Sequence, residues 1–359
     1  MMGDDERMTD DHDTAPGWDA IDSALSTVYG DAQPVRHWGT LLKWRLGGPD
    51  PLDGISVYER SDPVPHWHYV SYGLTELYAK ENKHLHVSGW GFELTARLRR
   101  GDETEPPIFM ANVLQNVARY VFETGNVFAA GHSLDLFGPI EEGSDTLIQG
   151  AIFYDDPELA AVDGPFGQVR FLQIVGVTLD ERAAIRSWNA DAAKPILSGH
   201  LPLLVTDLNR RSLLNDPEVD RAIVEGRNRD GSSLGALFIN TLAVRPSRRL
   251  PRRPAAITLP ATVIDSLCLV LPLRIPFGRP FQLTAAEASL TVVAGSTQAL
   301  EQTESGWTLT VTGEQAASIG GTLRPVAGRY DVPGLPDIAF QVERTPIRDQ
   351  QGNITSYVG

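Results

Sequence analysis

Trp18, Ile21, Leu25 and Val28 recur at three- and four-residue steps and Gly30 follows them, which predicts an amphipathic helix over Pro16–Tyr29. Period-two spacing comes next. Trp38, Leu42, Trp44 and Leu46 share one face of a strand, and Ile55 and Val57 begin another after the turn residues Gly47–Pro51. Between Gly91 and Arg100, Phe92, Leu94, Ala96 and Leu98 alternate with Glu93, Thr95, Arg97 and Arg99, the pattern of a sheet with one face buried and the other wet. A helix over Phe109–Glu123, with Phe109, Val113, Val117, Tyr120 and Val121 along one side, is suited to cover the apolar face. Strands are expected at Leu147–Phe153, Val169–Val177 and Leu203–Leu208. Thr178 and Glu181 have capping-box spacing, so a helix should run from there to about Trp188, and Asp216-Pro217 opens another that stops at Gly226.

Five Arg and three Pro stand in the ten residues from Arg245 to Pro254, where missing backbone donors and like charges predict an extended linker. Beyond it lie mostly strands, at Val263–Leu271, Glu287–Ala294, Trp307–Val311 and Asp337–Val342, and no internal repeat is visible. Strands and helices mix without βαβ alternation, so the fold class is α+β: two domains, each a mixed or antiparallel sheet with covering helices. The expected boundaries are a disordered acidic tail over residues 1–15, a first domain over 16–244, the linker 245–254 and a second domain over 255–359.

Composition narrows the function. With 42% apolar and 21% charged residues, the 359-residue chain is globular and long enough for two cores. Its 31 basic and 46 acidic residues leave a net charge of −15, which disfavours nucleic acid and anionic membranes and points any electrostatic partner toward the basic side. Cys268 stands alone in the apolar run Leu267–Leu271, which excludes an internal disulfide and fits a reducing compartment. The first residues are acidic and no apolar run is long enough to span a bilayer, so a cytoplasmic location without membrane contact is expected.

Candidate chemistry is sparse. His66-Trp67-His68 and His84-Leu85-His86 each place two imidazoles on one strand face, the geometry of half a metal site, but no carboxylate or cysteine follows at ligand spacing. Gly131-His132-Ser133-Leu134-Asp135 resembles a nucleophile elbow except that Asp135 replaces its second glycine. Phosphate-binding glycine patterns are absent. No cofactor and no catalytic set is expected, and the protein reads as a binder and not an enzyme.

Several strings then become recognisable in order. Leu46-Gly47-Gly48-Pro49-Asp50-Pro51-Leu52-Asp53, His66-Trp67-His68-Tyr69-Val70-Ser71-Tyr72-Gly73-Leu74, Gly91-Phe92-Glu93-Leu94-Thr95, Ala118-Arg119-Tyr120-Val121-Phe122, Pro165-Phe166-Gly167, Phe171–Val177 and Val205-Thr206-Asp207 resemble the Suppressor of fused family over about Trp18–Gly226. Phe277-Gly278-Arg279-Pro280-Phe281, Trp307-Thr308-Leu309 and Leu335-Pro336-Asp337-Ile338 resemble its second domain more loosely. The long insertion of animal relatives is absent, its place taken by the Arg/Pro segment.

The resemblance implies a non-enzymatic, two-domain regulator. Animal members restrain transcription factors of the Hedgehog pathway by clamping an extended peptide between their domains as an added strand. Bacterial members resemble cytoplasmic immunity proteins of polymorphic toxin systems, which neutralise a toxin by direct binding, and an acidic surface suits a basic toxin. The immunity role is the first expectation, the peptide-clamping scaffold the alternative. Tyr120 matches a groove tyrosine of the family. His132 stands where the family has an aspartate that pairs with a histidine of the bound peptide, and Asp135 is the nearest substitute. Tyr120, His132 and Asp135 are therefore the expected partner-binding residues, whereas His66, Trp67, His68 and Tyr69 are expected to serve the fold.

Overall fold

Helix α1 (Pro16–Tyr29) carries proline in its first turn and ends where the Gly30 N–H donates to the Ser26 carbonyl at 2.8 Å. The computed structural model describes residues 15–42, 44–249, 252–348 and 354–359, so all but the last residue of the expected acidic tail lies outside the described part. By its contacts the chain divides into a first unit ending at residue 182 and resuming over 193–219, and a second made of 183–192 and 220–359.

The first unit is organised around an eight-stranded sheet. Its strands are β1 (Arg36–Gly39), β2 (Gly54–Arg60), β3 (His66–Tyr72), β4 (Val87–Arg99), β5 (Ser133–Asp135), β6 (Ile148–Asp155), β7 (Val162–Gly164) and β8 (Gly167–Thr178). They lie in the order β1-β2-β3-β4-β8-β6-β5, with β7 against β8. All neighbours are antiparallel except the central pair, where Leu94 lies beside Leu172 and Ala96 beside Ile174 in a parallel register. Helix α2 (Ile108–Thr124) buries Met110, Leu114, Val117, Ala118 and Val121 against one face, on Trp67, Tyr69, Leu94, Ala96 and Leu98. On the opposite face α1 packs Ile21 and Leu25 against Val70, Tyr72 and Phe171.

The face of β4 expected to be wet is therefore covered, and Glu93, Thr95 and Arg97 are fully buried on it. The alternation was read correctly, but in a sheet with helices on both sides a polar row marks an internal network and not solvent. Two shorter readings also change. The strand expected across Trp38–Leu46 stops at Gly39, and Trp44–Leu46 form a 3-10 turn. Over Leu203–Leu208 a 3-10 turn at Pro202–Leu204 interrupts the run, with Leu203 and Leu204 at positive φ, and only Thr206 bridges to Leu98.

Helices α3 (Leu179–Ser187), α4 (Ala190–His200) and α5 (Pro217–Asp230) follow, and the division between units falls inside each of them. At α3 the Glu181 carboxylate accepts from the Thr178 N–H at 2.9 Å as the capping box requires, but the Thr178 hydroxyl donates to Asp180 instead of accepting from the helix. Helix α5 runs through Gly226, where it was expected to stop. That glycine is a packing residue: a Cβ there would sit 2.3 Å from the Trp188 ring.

The second unit holds β9 (Ala236–Phe238), β10 (Ala243–Arg245), β11 (Arg248–Arg249), β12 (Arg252–Arg253), β13 (Ala255–Pro260), α6 (Ile264–Val270), β14 (Phe281–Thr284), β15 (Ser289–Ala294), β16 (Ala299–Thr303) and β17 (Gly306–Val311). After these come α7 (Gly313–Thr322), β18 (Gly328–Asp331), β19 (Ile338–Glu343), β20 (Thr345–Arg348) and β21 (Ile354–Val358). Two sheets, β10-β13-β19-β18 and β16-β17-β15-β14-β9, share one core with α6 and α7, built on Ile257, Leu259, Phe281, Leu290, Leu309, Phe340 and Val342.

The Arg/Pro segment differs from the expected linker. Residues 243–245 pair with 256–258 and Arg248–Arg249 with Arg252–Arg253, so these residues are paired inside the second unit; residues 250–251 lie outside the described part. The run Val263–Leu271, expected as a strand, is α6. Its buried positions Ile264, Leu267, Val270 and Leu271 follow helical spacing, and a short apolar run does not separate the two states by composition.

Candidate functional site

Strand β5 is the last strand of the large sheet, and among the described residues no strand pairs with its outer side. Its register with β6 sets Leu134 opposite Ala151, the Leu136 N–H donates to Gln149 O at 3.0 Å, and the Phe153 N–H to His132 O at 2.9 Å. Residues 132, 134 and 136 thus face β6. By the alternation of an antiparallel ladder, the backbone groups of Ser133 and Asp135 face outward.

Two of the sequence-predicted residues, Tyr120 and His132, meet here through Phe128, whereas the Asp135 side chain turns to the other face of the sheet, against Arg182. Tyr120, in the last turns of α2, is 41% exposed, so the apolar stripe of that helix does not bury it. Its hydroxyl accepts from the Asn126 amide at 3.1 Å, and its ring tilts against Phe128 with centroids 5.6 Å apart. Phe128 stacks on buried Phe153 at 4.2 Å and meets the His132 ring edge-on at 6.5 Å. Phe128 is the link that sequence reasoning missed: it fixes the spacing between Tyr120 and His132 and anchors both to the sheet.

Asp135 is partly engaged. One carboxylate oxygen accepts from the Phe137 N–H at 2.9 Å and the other from Arg182 at 3.1 Å, which leaves further lone pairs on both. Burial holds the Arg182 guanidinium below its ordinary value, and the Asp135 charge works in the opposite direction. Phe137 sits in the left-handed region at φ 58° and is 91% exposed, an apolar ring presented beside the open edge.

The other candidates have structural roles. His66 and His68 are fully buried on β3 among charges. His68 Nδ1 lies 2.6 Å from the Tyr29 hydroxyl and Nε2 3.3 Å from Asp156, while Arg97 grips Asp156 with both terminal nitrogens, at 2.6 and 3.0 Å. Burial, and next the Arg97 charge, push His68 down to about 4; despite its own burial Asp156 is held well below the usual carboxylate range by His68 and Arg97. Among the described residues no group of three or more His, Cys, Asp or Glu side chains is placed to hold a metal ion, and His84 and His86 stand exposed in a loop. Ser133 opens an edge strand with no helix behind it, unlike a nucleophile elbow. Among the described residues no helix is long and apolar enough to cross a membrane.

Comparison with known proteins completes the picture. The sequence model of the family Suppressor of fused protein (SUFU) matches residues 48–211. The Suppressor of fused homologs of Homo sapiens and Mus musculus are each 36% identical over 240 residues, covering 62% of this chain and 49% of theirs, so the chain spans about half the length of the curated relatives it matches. The crystal structure of Drosophila Suppressor of Fused superposes with a TM-score of 0.77 at 24% identity, over 95% of this chain and 99% of that one, a likeness of fold. The crystal structure of the Sufu-Fu complex matches at TM-score 0.55 and 33% identity, over 58% of this chain and 98% of that one.

Proposed function

We propose, from the membership of residues 48–211 in the Suppressor of fused family, that the chain acts by holding another polypeptide and transforms no substrate. The observation that carries the reading is the open edge of β5, with outward backbone groups at Ser133 and Asp135 beside exposed Tyr120, His132 and Phe137. An extended segment laid along that edge gains ladder hydrogen bonds from the backbone and selectivity from the flanking rings. The relative crystallised as a Sufu-Fu complex gives precedent for protein partners.

The physiological role we infer is that of a cytoplasmic immunity protein that neutralises a basic toxin by occupying it. The charge of −15 supports it, because a strongly acidic surface steers a basic partner into fast encounter. The second reading, a scaffold sequestering a transcription factor through an extended peptide, fits the same edge. Against it, His132 stands where the resemblance calls for a carboxylate, and an imidazole does not replace a carboxylate as acceptor of a charge-assisted bond.

Peptides selected on the purified protein from a random display library test the edge. Ser133→Pro removes an outward N–H and leaves the Leu134 ladder to β6 in place. At unchanged melting temperature the selected peptides should bind this variant about tenfold more weakly, and Tyr120→Ala should do the same. Affinity unchanged from that of the native protein in both variants would overturn the reading.

A further inference from the structure

Away from β5, the first unit contains a cavity of about 410 Å³ lined by Trp44, Trp90, Phe122 and Tyr78, within the range of ligand sites. Trp44 and Trp90 each meet Phe122 edge-on, at 5.7 and 5.6 Å between centroids, so the two indoles flank one phenyl ring. The walls are fixed by two carboxylates. Buried Glu93 accepts from the N–H groups of Gly73 and Thr75, at 2.9 Å each, and from the hydroxyls of Ser71 and Thr75. Glu76 accepts from the N–H groups of Glu81, Asn82 and Gly89 and from Lys80, which ties the 76–89 loop into one piece.

Glycines let these walls approach. Gly73 lies at φ +130°, where a Cβ would come within 2.8 Å of the Asp53 nitrogen, and Gly89 at φ +51°, where it would come within 2.5 Å of Leu74 O. Asp53, Glu76 and Glu81 line the cavity, no described basic side chain does, and exposed Glu81 makes no ion pair among the described residues. Lys80 already pairs with Glu76, so the charge left open at the rim is that of exposed Glu81, and aromatic faces beside it suit a flat, weakly hydrated cation more than a neutral apolar group.

We propose that this cavity receives an arginine side chain of the protein's partner, its guanidinium lying against the aromatic wall of Trp44, Trp90 and Phe122 and its charge facing Glu81. The inference rests on the reading that the partner is a basic polypeptide and adds a second point of attachment, separate from β5.

The test uses the intact protein and three short blocked peptides, Gly-Arg-Gly, its neutral isostere with citrulline, and its apolar counterpart with norleucine. Binding is followed by the indole N–H signals of Trp44 and Trp90 in nuclear magnetic resonance. The arginine peptide should shift both signals saturably, citrulline and norleucine should need about tenfold more, and Glu81→Gln should weaken the arginine peptide about threefold. Trp90→Ala should abolish the response. Should that variant not fold, exposed Glu81 keeps the question open to measurement. Equal response to norleucine, or unmoved Trp44 and Trp90 signals up to the solubility limit, would overturn the proposal. A negative result here with an intact Ser133→Pro effect would remove the cavity and leave the β5 reading standing.

Discussion

Arg97→Met is the most informative single change in the first unit. Arg97 is fully buried and bidentate on Asp156, with a further bond to Glu158 at 2.9 Å and another to Gln173. Methionine fills most of its volume but leaves Asp156 charged and short of a cation, so at pH 7 the sheet should lose about 3–5 kcal/mol. The pH dependence is the sharper part. In the native protein His68 stays neutral until about pH 4, whereas in the unfolded chain it titrates near 6.5. Below pH 6.5 the unfolded chain therefore binds a proton that the folded one refuses. That stabilising contribution is full at neutral pH and disappears as pH falls through the window from 6.5 to 4, in all about 3 kcal/mol and about 2 of it by pH 5. Asp156, depressed in the fold, loses stability in the same direction at still lower pH. In Arg97→Met the charge that repelled the His68 proton is gone, and Asp156, 3.3 Å away, attracts it. Burial still opposes the His68 proton, so the variant should lose less than the native protein between pH 7 and 5, and its deficit narrows by at most about 2 kcal/mol. Hydrogen exchange of the β3 and β4 amides at both pH values reads the opening free energy of this sheet without assuming that the whole chain unfolds in one step. Parallel pH profiles, or a deficit below about 1 kcal/mol at pH 7, would refute the reasoning.

Gly226→Ala should lower the melting temperature by an amount equivalent to about 1–3 kcal/mol, because its methyl would enter the Trp188 ring space; an unshifted transition would mean that α5 gives way freely. Thr312→Ala removes the hydroxyl that accepts from the Gln315 N–H at 3.2 Å while Gln315 answers to the Thr312 N–H at 2.9 Å, and should cost about 1 kcal/mol by urea titration. The Cys268 thiol, pushed up to about 11 chiefly by burial, should react with a disulfide reagent far more slowly in the native protein than in denaturant; equal rates would contradict its packing between α6 and α7.

Where the sequence was legible, one physical signal dominated. Helices α1 and α2 and strand β4 have unbroken periodicity and no competing turn residues, and each stands within a residue or a few of its expected span. Where it failed, a second signal was needed. The apolar run of α6 has no polar punctuation to separate period 3.6 from period 2, and the polar row Glu93-Thr95-Arg97 looks the same whether water or α1 covers it. Capping box Thr312–Gln315 was present in the chain, and α7 was overlooked beside the surrounding strands. Of the site, Tyr120 and His132 were reachable through resemblance. Phe128, which joins them, was not, since its role depends on β6 supplying Phe153 from 25 residues further on.

The parallel seam between β4 and β8 bears on how the chain is made. Strands β1 to β4 form a local meander that can assemble as soon as they leave the ribosome, but the side of β4 that awaits β8 stays bare until residue 178 has emerged. During that interval of synthesis an unfinished sheet edge with Leu94 and Ala96 in its middle is open to misplaced strands. Rare codons between residues 100 and 165 would lengthen the exposure, and a holding chaperone would find its natural substrate there.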